Sequence, residues 1–288
     1  MRAAVADAIE AHRAAGREFE AGGVRSFVRE RGDGEAVVLL HGVPSSCFLY
    51  RKLLDRLASG GLRPIAFDFP GLGLAARPED FDYSWSGLAR WTGEAIDALE
   101  IERCHLVVHD IGGPIGFEWA IRNPHRVLTL TALNTLVDAA SFHRPWSMHP
   151  FSIRGVGEVW LRSMIPWAMR QLLYLQTIAD RSATPPAEID AYYYLLMGPD
   201  KGRAFLRIMR GFELTADKEN FFWQGLAAFE CPRRVVWGEL DPALKEERRL
   251  AVQDFLGIGE PTLLPAKHFP QEDQAPAIAN AILAVATG

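Results

Sequence analysis

Three cysteines in 288 residues, Cys47, Cys104 and Cys231, are too few and too scattered to frame a set of disulfides or a paired-thiolate metal site. They suit a reducing compartment. Long apolar runs are also missing. The alanine-rich residues 1–20 are interrupted by Asp7, Glu10, Arg13, Arg17 and Glu18, so they do not read as a signal peptide, and no later run is long enough to span a bilayer. A soluble, cytoplasmic protein is the expectation. A charge excess of one sign is absent too: 31 Lys and Arg stand against 36 Asp and Glu, a net charge of −5. That balance gives no attraction for nucleic acid or an anionic membrane. There are no repeats, no low-complexity segments and no cluster spaced to hold a metal, so no metal or organic cofactor is expected. No pattern specifies an oligomeric state.

What the chain does have is 49% hydrophobic and 23% charged residues, the composition of a globular domain with a sizeable core. Residues 1–15 read as a short amphipathic helix, and Phe19–Arg31, broken at Gly22-Gly23, as a β-hairpin. Apolar runs at Ala36–Leu40, Pro64–Phe69, His105–His109, Val127–Asn134, Arg233–Gly238 and Pro261–Pro265 alternate with helical patterns, and a last helix covers Ala275–Ala286. Alternating strands and helices imply right-handed crossovers and a mostly parallel sheet flanked by helices, an α/β fold. Between residues 137 and 222 the alternation stops in favour of a helical stretch rich in Trp, Tyr, Met and Phe. It is expected to be a cap inserted into a core made of residues 1–136 and 223–288, roofing the carboxyl ends of the strands, where open α/β sheets bind ligands.

The segment Cys104-His-Leu-Val-Val-His-Asp110-Ile-Gly-Gly-Pro-Ile-Gly116 reads as a buried strand, a glycine-eased turn and a helix. Such a turn thrusts one side chain out above the sheet. A carboxylate in that place is a poor acyl-transfer nucleophile, but it can displace a leaving group from saturated carbon and form an alkyl ester. It then needs donors for the oxyanion, a base for water and an acid to orient the base. The expected donors are the backbone amides of Ile111 and of Val43, in His41-Gly-Val-Pro-Ser45. The expected base is His268, on the loop after the last strand, and the expected acid is Asp241, with Glu239 and Asp138 as fallbacks. Asp241-Pro242 also reads as the N-cap of a helix over Ala243–Phe255. Asn134 ends another strand. His105 and His109, four apart on a strand, make no metal pair.

These motifs, with Asp68-Phe-Pro-Gly-Leu-Gly73, Trp237-Gly-Glu-Leu-Asp241-Pro242 and Lys267-His-Phe-Pro-Gln-Glu-Asp273, make the chain resemble the haloalkane dehalogenase and epoxide hydrolase branch of the α/β-hydrolase fold. The resemblance covers nearly everything after about residue 19. It implies Asp110 as nucleophile, His268 as base and Asp241 as acid, acting on a small apolar organic substrate. The departures bear on the substrate. Dehalogenases of this branch hold halide with a Trp after the nucleophile and an Asn or Glu in the His-Gly-x-Pro turn; here those positions are Ile111 and Val43. Fluoroacetate dehalogenases carry Arg after the nucleophile, and Ile111 departs from them as well. Epoxide hydrolases include members with isoleucine there, and they protonate the opened ring from a cap residue.

The favoured expectation is therefore epoxide opening, with Tyr192, Tyr193, Tyr194, His143 or His149 as the cap's proton donor. The alternative is a haloalkane dehalogenase-like enzyme whose halide is held by Trp146, Trp160 or Trp167. The third reading, from another class, is a non-catalytic pocket protein that binds an apolar small molecule.

Overall fold

The computed structural model describes residues 3–226 and 229–287. Eight strands make one sheet: β1 (Arg17–Ala21), β2 (Val24–Glu30), β3 (Glu35–Leu40), β4 (Leu62–Phe67), β5 (Cys104–Asp110), β6 (Val127–Thr135), β7 (Arg233–Gly238) and β8 (Thr262–Leu264), in the order β1-β2-β4-β3-β5-β6-β7-β8. The expected hairpin forms across Gly22-Gly23, and β2 runs antiparallel to both of its neighbours. From β4 to β8 every pairing is parallel.

The apolar runs explain the burial. A strand covered on both faces has no need of a polar alternation, and Val37, Val38, Leu39 and Leu40 of β3 are all fully buried. Successive side chains point to opposite faces. Val37 and Leu39 therefore join a cluster with Leu53, Leu54, Ile278 and Ile282, from helices Arg51–Ser59 and Ala275–Ala286. Val38 and Leu40 join the larger cluster with Trp91 and Ile115, from helices Trp85–Ala98 and Gly112–Arg122. Each Val or Leu so buried contributes about 1.5–3 kcal/mol of hydrophobic stabilisation.

Between β6 and β7 the chain leaves the sheet for five helices: Val156–Ser163, Pro166–Gln176, Pro186–Met197, Arg203–Arg210 and Ala216–Leu226. The last of these runs four residues past the end expected for the helical stretch. A second correction concerns the helix after Asp241. It spans Glu246–Leu256, with Lys245 at its N-cap, instead of beginning at Ala243. No helix among the described residues is long and apolar enough to cross a membrane.

Parallel pairing has one consequence for the site. It places the carboxyl ends of β3, β5, β6, β7 and β8 at the same edge, where the strand ends carry Asp110 and Asn134 and the loops that follow carry Val43, Asp241 and His268.

Candidate active site

Asp110 is the last residue of β5 and has φ 53°, a left-handed conformation that a non-glycine residue adopts only when its surroundings enforce it. The surroundings here are tight. A Cβ added to Gly112 would lie 2.5 Å from the Leu40 carbonyl oxygen, and one added to Gly113 would lie 1.8 Å from Thr135 Oγ1. The Thr135 hydroxyl also donates to the Asp110 carbonyl at 2.6 Å. From the other side, the His41-Gly-Val turn presses close enough that a Cβ on Gly42 would lie 2.1 Å from Asp110 Oδ1. The Val43 amide donates to that same oxygen at 2.8 Å. The Ile111 amide donates to no protein group among the described residues, and it stands at the N-terminus of helix Gly112–Arg122, where the helix dipole favours negative charge.

The second carboxylate oxygen, Oδ2, lies 3.4 Å from His268 Nε2. The other ring nitrogen, Nδ1, lies 2.7 Å from Asp241 Oδ2. That distance fixes the tautomer: Nδ1 carries the proton, so Nε2 exchanges its proton toward Asp110 and the cavity. Asp241 is itself held. Its Oδ2 also accepts from Asn134 Nδ2 at 2.8 Å, and its Oδ1 accepts from the amides of Ala243 and Leu244 at 2.8 and 3.0 Å. The capping tendency read from Asp-Pro is thus real, but it caps the turn after β7 with one oxygen and leaves the other for the histidine. Behind the ring, His109 Nε2 donates to the His268 carbonyl at 2.8 Å and fixes the loop. Burial pushes the His109 pKa down to about 4, so that ring is neutral.

Electrostatics follow from this packing. Burial disfavours the His268 cation, yet the carboxylates of Asp241 and Asp110 outweigh it and push its pKa up to about 10. Burial likewise disfavours the Asp110 anion, and the His268 contact outweighs it, so the Asp110 carboxyl titrates below its ordinary value. The resting site is an Asp–His⁺–Asp array. Of its side chains Asp241 keeps 1% of its surface, His268 8% and Asp110 14%. Asp110 is the most open of the three.

It opens into a small apolar cavity lined by Val43, Phe142, Pro145, Met148, Met209 and Phe212 along with Asp110 and His268. The side chains expected to serve as donors from the helical stretch are not among its walls. Tyr192 is fully buried, and its phenol donates to the Glu272 carboxylate. Tyr193 lines a small neighbouring cavity, and Tyr194 packs against the core without lining either. His143 and His149 are exposed, as are Trp146 at 65% and Trp167 at 61%. Trp160 packs on the core, its indole N–H buried without a partner. The polar groups that do line the cavity are Arg144, Gln176 and Thr177, none of which the sequence singled out. The one signal was Arg144's place in a short polar run, His143-Arg-Pro, entering the helical stretch. Of the fallback acids, Asp138 is committed to Arg248 and Glu239 is exposed.

One His, Cys and Asp cluster elsewhere, His12, Cys47 and Asp68, brings potential ligand atoms within 4.8 Å of one another. Its donors are already engaged. Arg29 Nη1 lies 3.3 Å from His12 Nδ1, and Asp68 accepts from the amides of Cys47 and Leu74. Burial holds the Cys47 thiol protonated, and a guanidinium beside the group repels a cation. These residues do not fit a metal site.

The sequence profile of the alpha/beta hydrolase family matches residues 37–281. The chain belongs to that family. It is similar to haloalkane dehalogenases of Mycobacterium marinum, 27% identical over 264 residues that cover 87% of this chain and 84% of the relative. The haloalkane dehalogenase of Psychrobacter cryohalolentis is 28% identical over 271 residues, covering 87% and 83%. Among solved structures, haloalkane dehalogenase DbeA from Bradyrhizobium elkani superposes with a TM-score of 0.79 at 23% identity, covering 95% of this chain and 97% of that one, a likeness of fold. The chain is therefore a hydrolase of the alpha/beta family, similar over most of its length to haloalkane dehalogenases.

Proposed function

We propose that this hydrolase displaces halide from a saturated carbon through a covalent ester on Asp110. The observation that carries the reading is the division of labour on one carboxylate. Oδ1 is held by the Val43 amide, while Oδ2 faces His268 Nε2 from the left-handed elbow. Oδ2 is then the attacking atom. Its lone pair forms the carbon–oxygen bond as the carbon–halogen bond breaks, and the halide departs with the bonding pair.

Ester formation removes the Asp110 charge. One of the two carboxylates that raise the His268 pKa is thereby lost, so Nε2 releases its proton to solvent, the proton of the overall sum, and the neutral ring can then take a proton from water. The water oxygen attacks the ester carbonyl carbon. Oδ1 becomes the oxyanion beside the Val43 amide, and the alcohol leaves with a proton returned by His268. The sum is alkyl halide plus water giving alcohol, halide and a proton. Each backbone donor of this kind is worth about 3–4 kcal/mol of transition-state stabilisation.

Epoxide opening, the favoured expectation from the sequence, asks for more. Its alkoxide must be protonated, and Tyr192, Tyr193 and Tyr194 lie away from the Asp110 cavity. A halide leaves as a stable anion and needs only hydrogen-bond donors, for which Gln176 in the cavity wall, its Nε2 unbonded among the described residues, is a candidate. The helical stretch, residues 137–226 in this reading, acts as a cap that keeps the cavity dry. Bromide release from short bromoalkanes tests the proposal. Release that disappears in Asp110→Ala supports it; turnover of epoxides with no bromide from any bromoalkane sinks it.

A further inference from the structure

Arg144 is a charged side chain in the wall of an apolar cavity with no acid to meet it. Its Nη2 donates to the Met209 carbonyl at 2.9 Å, and its guanidinium stacks 4.7 Å from the centre of the Phe212 ring. Nε is buried without a partner, and Nη1 bonds to no protein group among the described residues. Three other arginines removed from water meet an acid, whereas Arg29 reaches only His12 Nδ1 among the described residues. Arg51 meets Glu272 at 2.6 Å, Arg77 meets Asp200 at 3.0 Å, and Arg170 meets Asp190 at 3.2 Å. Burial lowers the Arg144 pKa and no neighbouring carboxylate raises it again. An unpaired, half-buried charge is costly, and Nη1 is left free to donate to an anionic group such as a carboxylate.

We infer that the substrate is an aliphatic halide bearing a carboxylate, the halogen-bearing carbon at Asp110 and the carboxylate on Arg144. This rests on Asp110 as the nucleophile. Arg144 and Asp110 line the same cavity, and a cationic donor there matches an anionic group carried by the substrate. Charge balance agrees: Asp110 and Asp241 offset protonated His268 and Arg144, leaving a neutral pocket that an anion can enter. The proposed substrate is apolar along its chain and anionic at its far end, which narrows the small apolar substrate expected from the sequence.

The test pairs ω-bromoalkanoates of graded length with the matching ω-bromoalkanamides, and reads butyrate against butyramide by calorimetry. Wild-type enzyme is expected to favour the best acid over its amide by at least about tenfold in kcat/KM. In Arg144→Met the acid should lose roughly 10- to 100-fold more than its amide does. Butyrate should bind more tightly than butyramide, and the preference should vanish in Arg144→Met. Amides turned over as well as acids, equal binding of the two probes, or an equal loss for both substrates in the variant would each overturn the inference. Calorimetry on the wild-type protein decides it if the variant does not fold. Butyrate preference without bromide release from any compound would uphold the anion site and fail the Asp110 chemistry instead.

Discussion

Three neighbours hold both Asp110 oxygens and its backbone at once: the Val43 amide, His268 and Thr135. Changing Asp110→Asn removes one of the charges that keep His268 protonated. Its imidazole pKa should fall by about one unit or more, read by nitrogen NMR of the ring, and turnover should drop at least about a thousandfold with the nucleophile gone. The opposite outcome is expected at the two exposed tryptophans. Trp146→Phe and Trp167→Phe should leave kcat/KM within about twofold of wild type, because neither side chain lines the cavity. This contrast marks what could be read from residues alone. Asp110, Asp241 and His268 follow strands, whose ends parallel pairing delivers to one edge. Tyr192, Trp146 and their neighbours sit on helices and short turns whose facing depends on packing that no strand register determines. Arg144 was invisible for the same reason, since an arginine in a loop is ordinarily solvated.

At the scale of elements, two devices deserve separate tests. The first is the close approach of the β3 turn to the elbow. Gly42→Ala would drive a methyl group into Asp110 Oδ1, so activity should fall by about a hundredfold or more while the circular dichroism spectrum is retained. The second joins the helical stretch to the His268 loop. Glu272, fully buried, meets Arg51 at 2.6 Å and Lys52 at 2.9 Å, accepts from Thr184 at 2.9 Å and also accepts the Tyr192 phenol. Removing one partner of such a buried network strands the others, so Glu272→Ala should cost about 3–5 kcal/mol in urea unfolding. The strand at Arg233–Gly238 and the final helix, Ala275–Ala286, were legible to the residue, and the other strand runs to within one or two residues at their ends, because an apolar run or an amphipathic repeat carries them. The helix after β7 was placed three residues early because Asp241-Pro242 satisfies a turn, not the helix it precedes. The helical stretch overran its expected end because Phe222 and Leu226 continue its buried face into the core.

For the whole molecule, the buried Asp–His–Asp array couples folding to pH. The His268 pKa is raised from its ordinary 6.5 to about 10 in the folded chain. The unfolded chain therefore loses that proton first as pH rises. The stabilisation is complete below about 6.5 and disappears as pH climbs through about 10. The melting temperature should fall between those limits, and the fall should be shallower in His268→Gln, measured by scanning calorimetry at matched ionic strength. The order β1-β2-β4-β3-β5-β6-β7-β8 was only partly legible, since alternation of strands and helices implies parallel neighbours without saying which strand lies beside which. That order puts β5 between β3 and β6, and so puts Asp110 between its amide donor and the Asn134–Asp241 support of its base.

The ester on Asp110 is the claim on which the rest depends. Replacing His268 with Phe removes the base that activates water, so an alkyl-enzyme should accumulate. After incubation with a bromoalkane or ω-bromoalkanoate, intact-mass analysis should show the protein heavier by the organic group without its bromine, and peptide mapping should place that mass on Asp110. A folded variant that gains no mass, or gains it at another residue, would contradict the account.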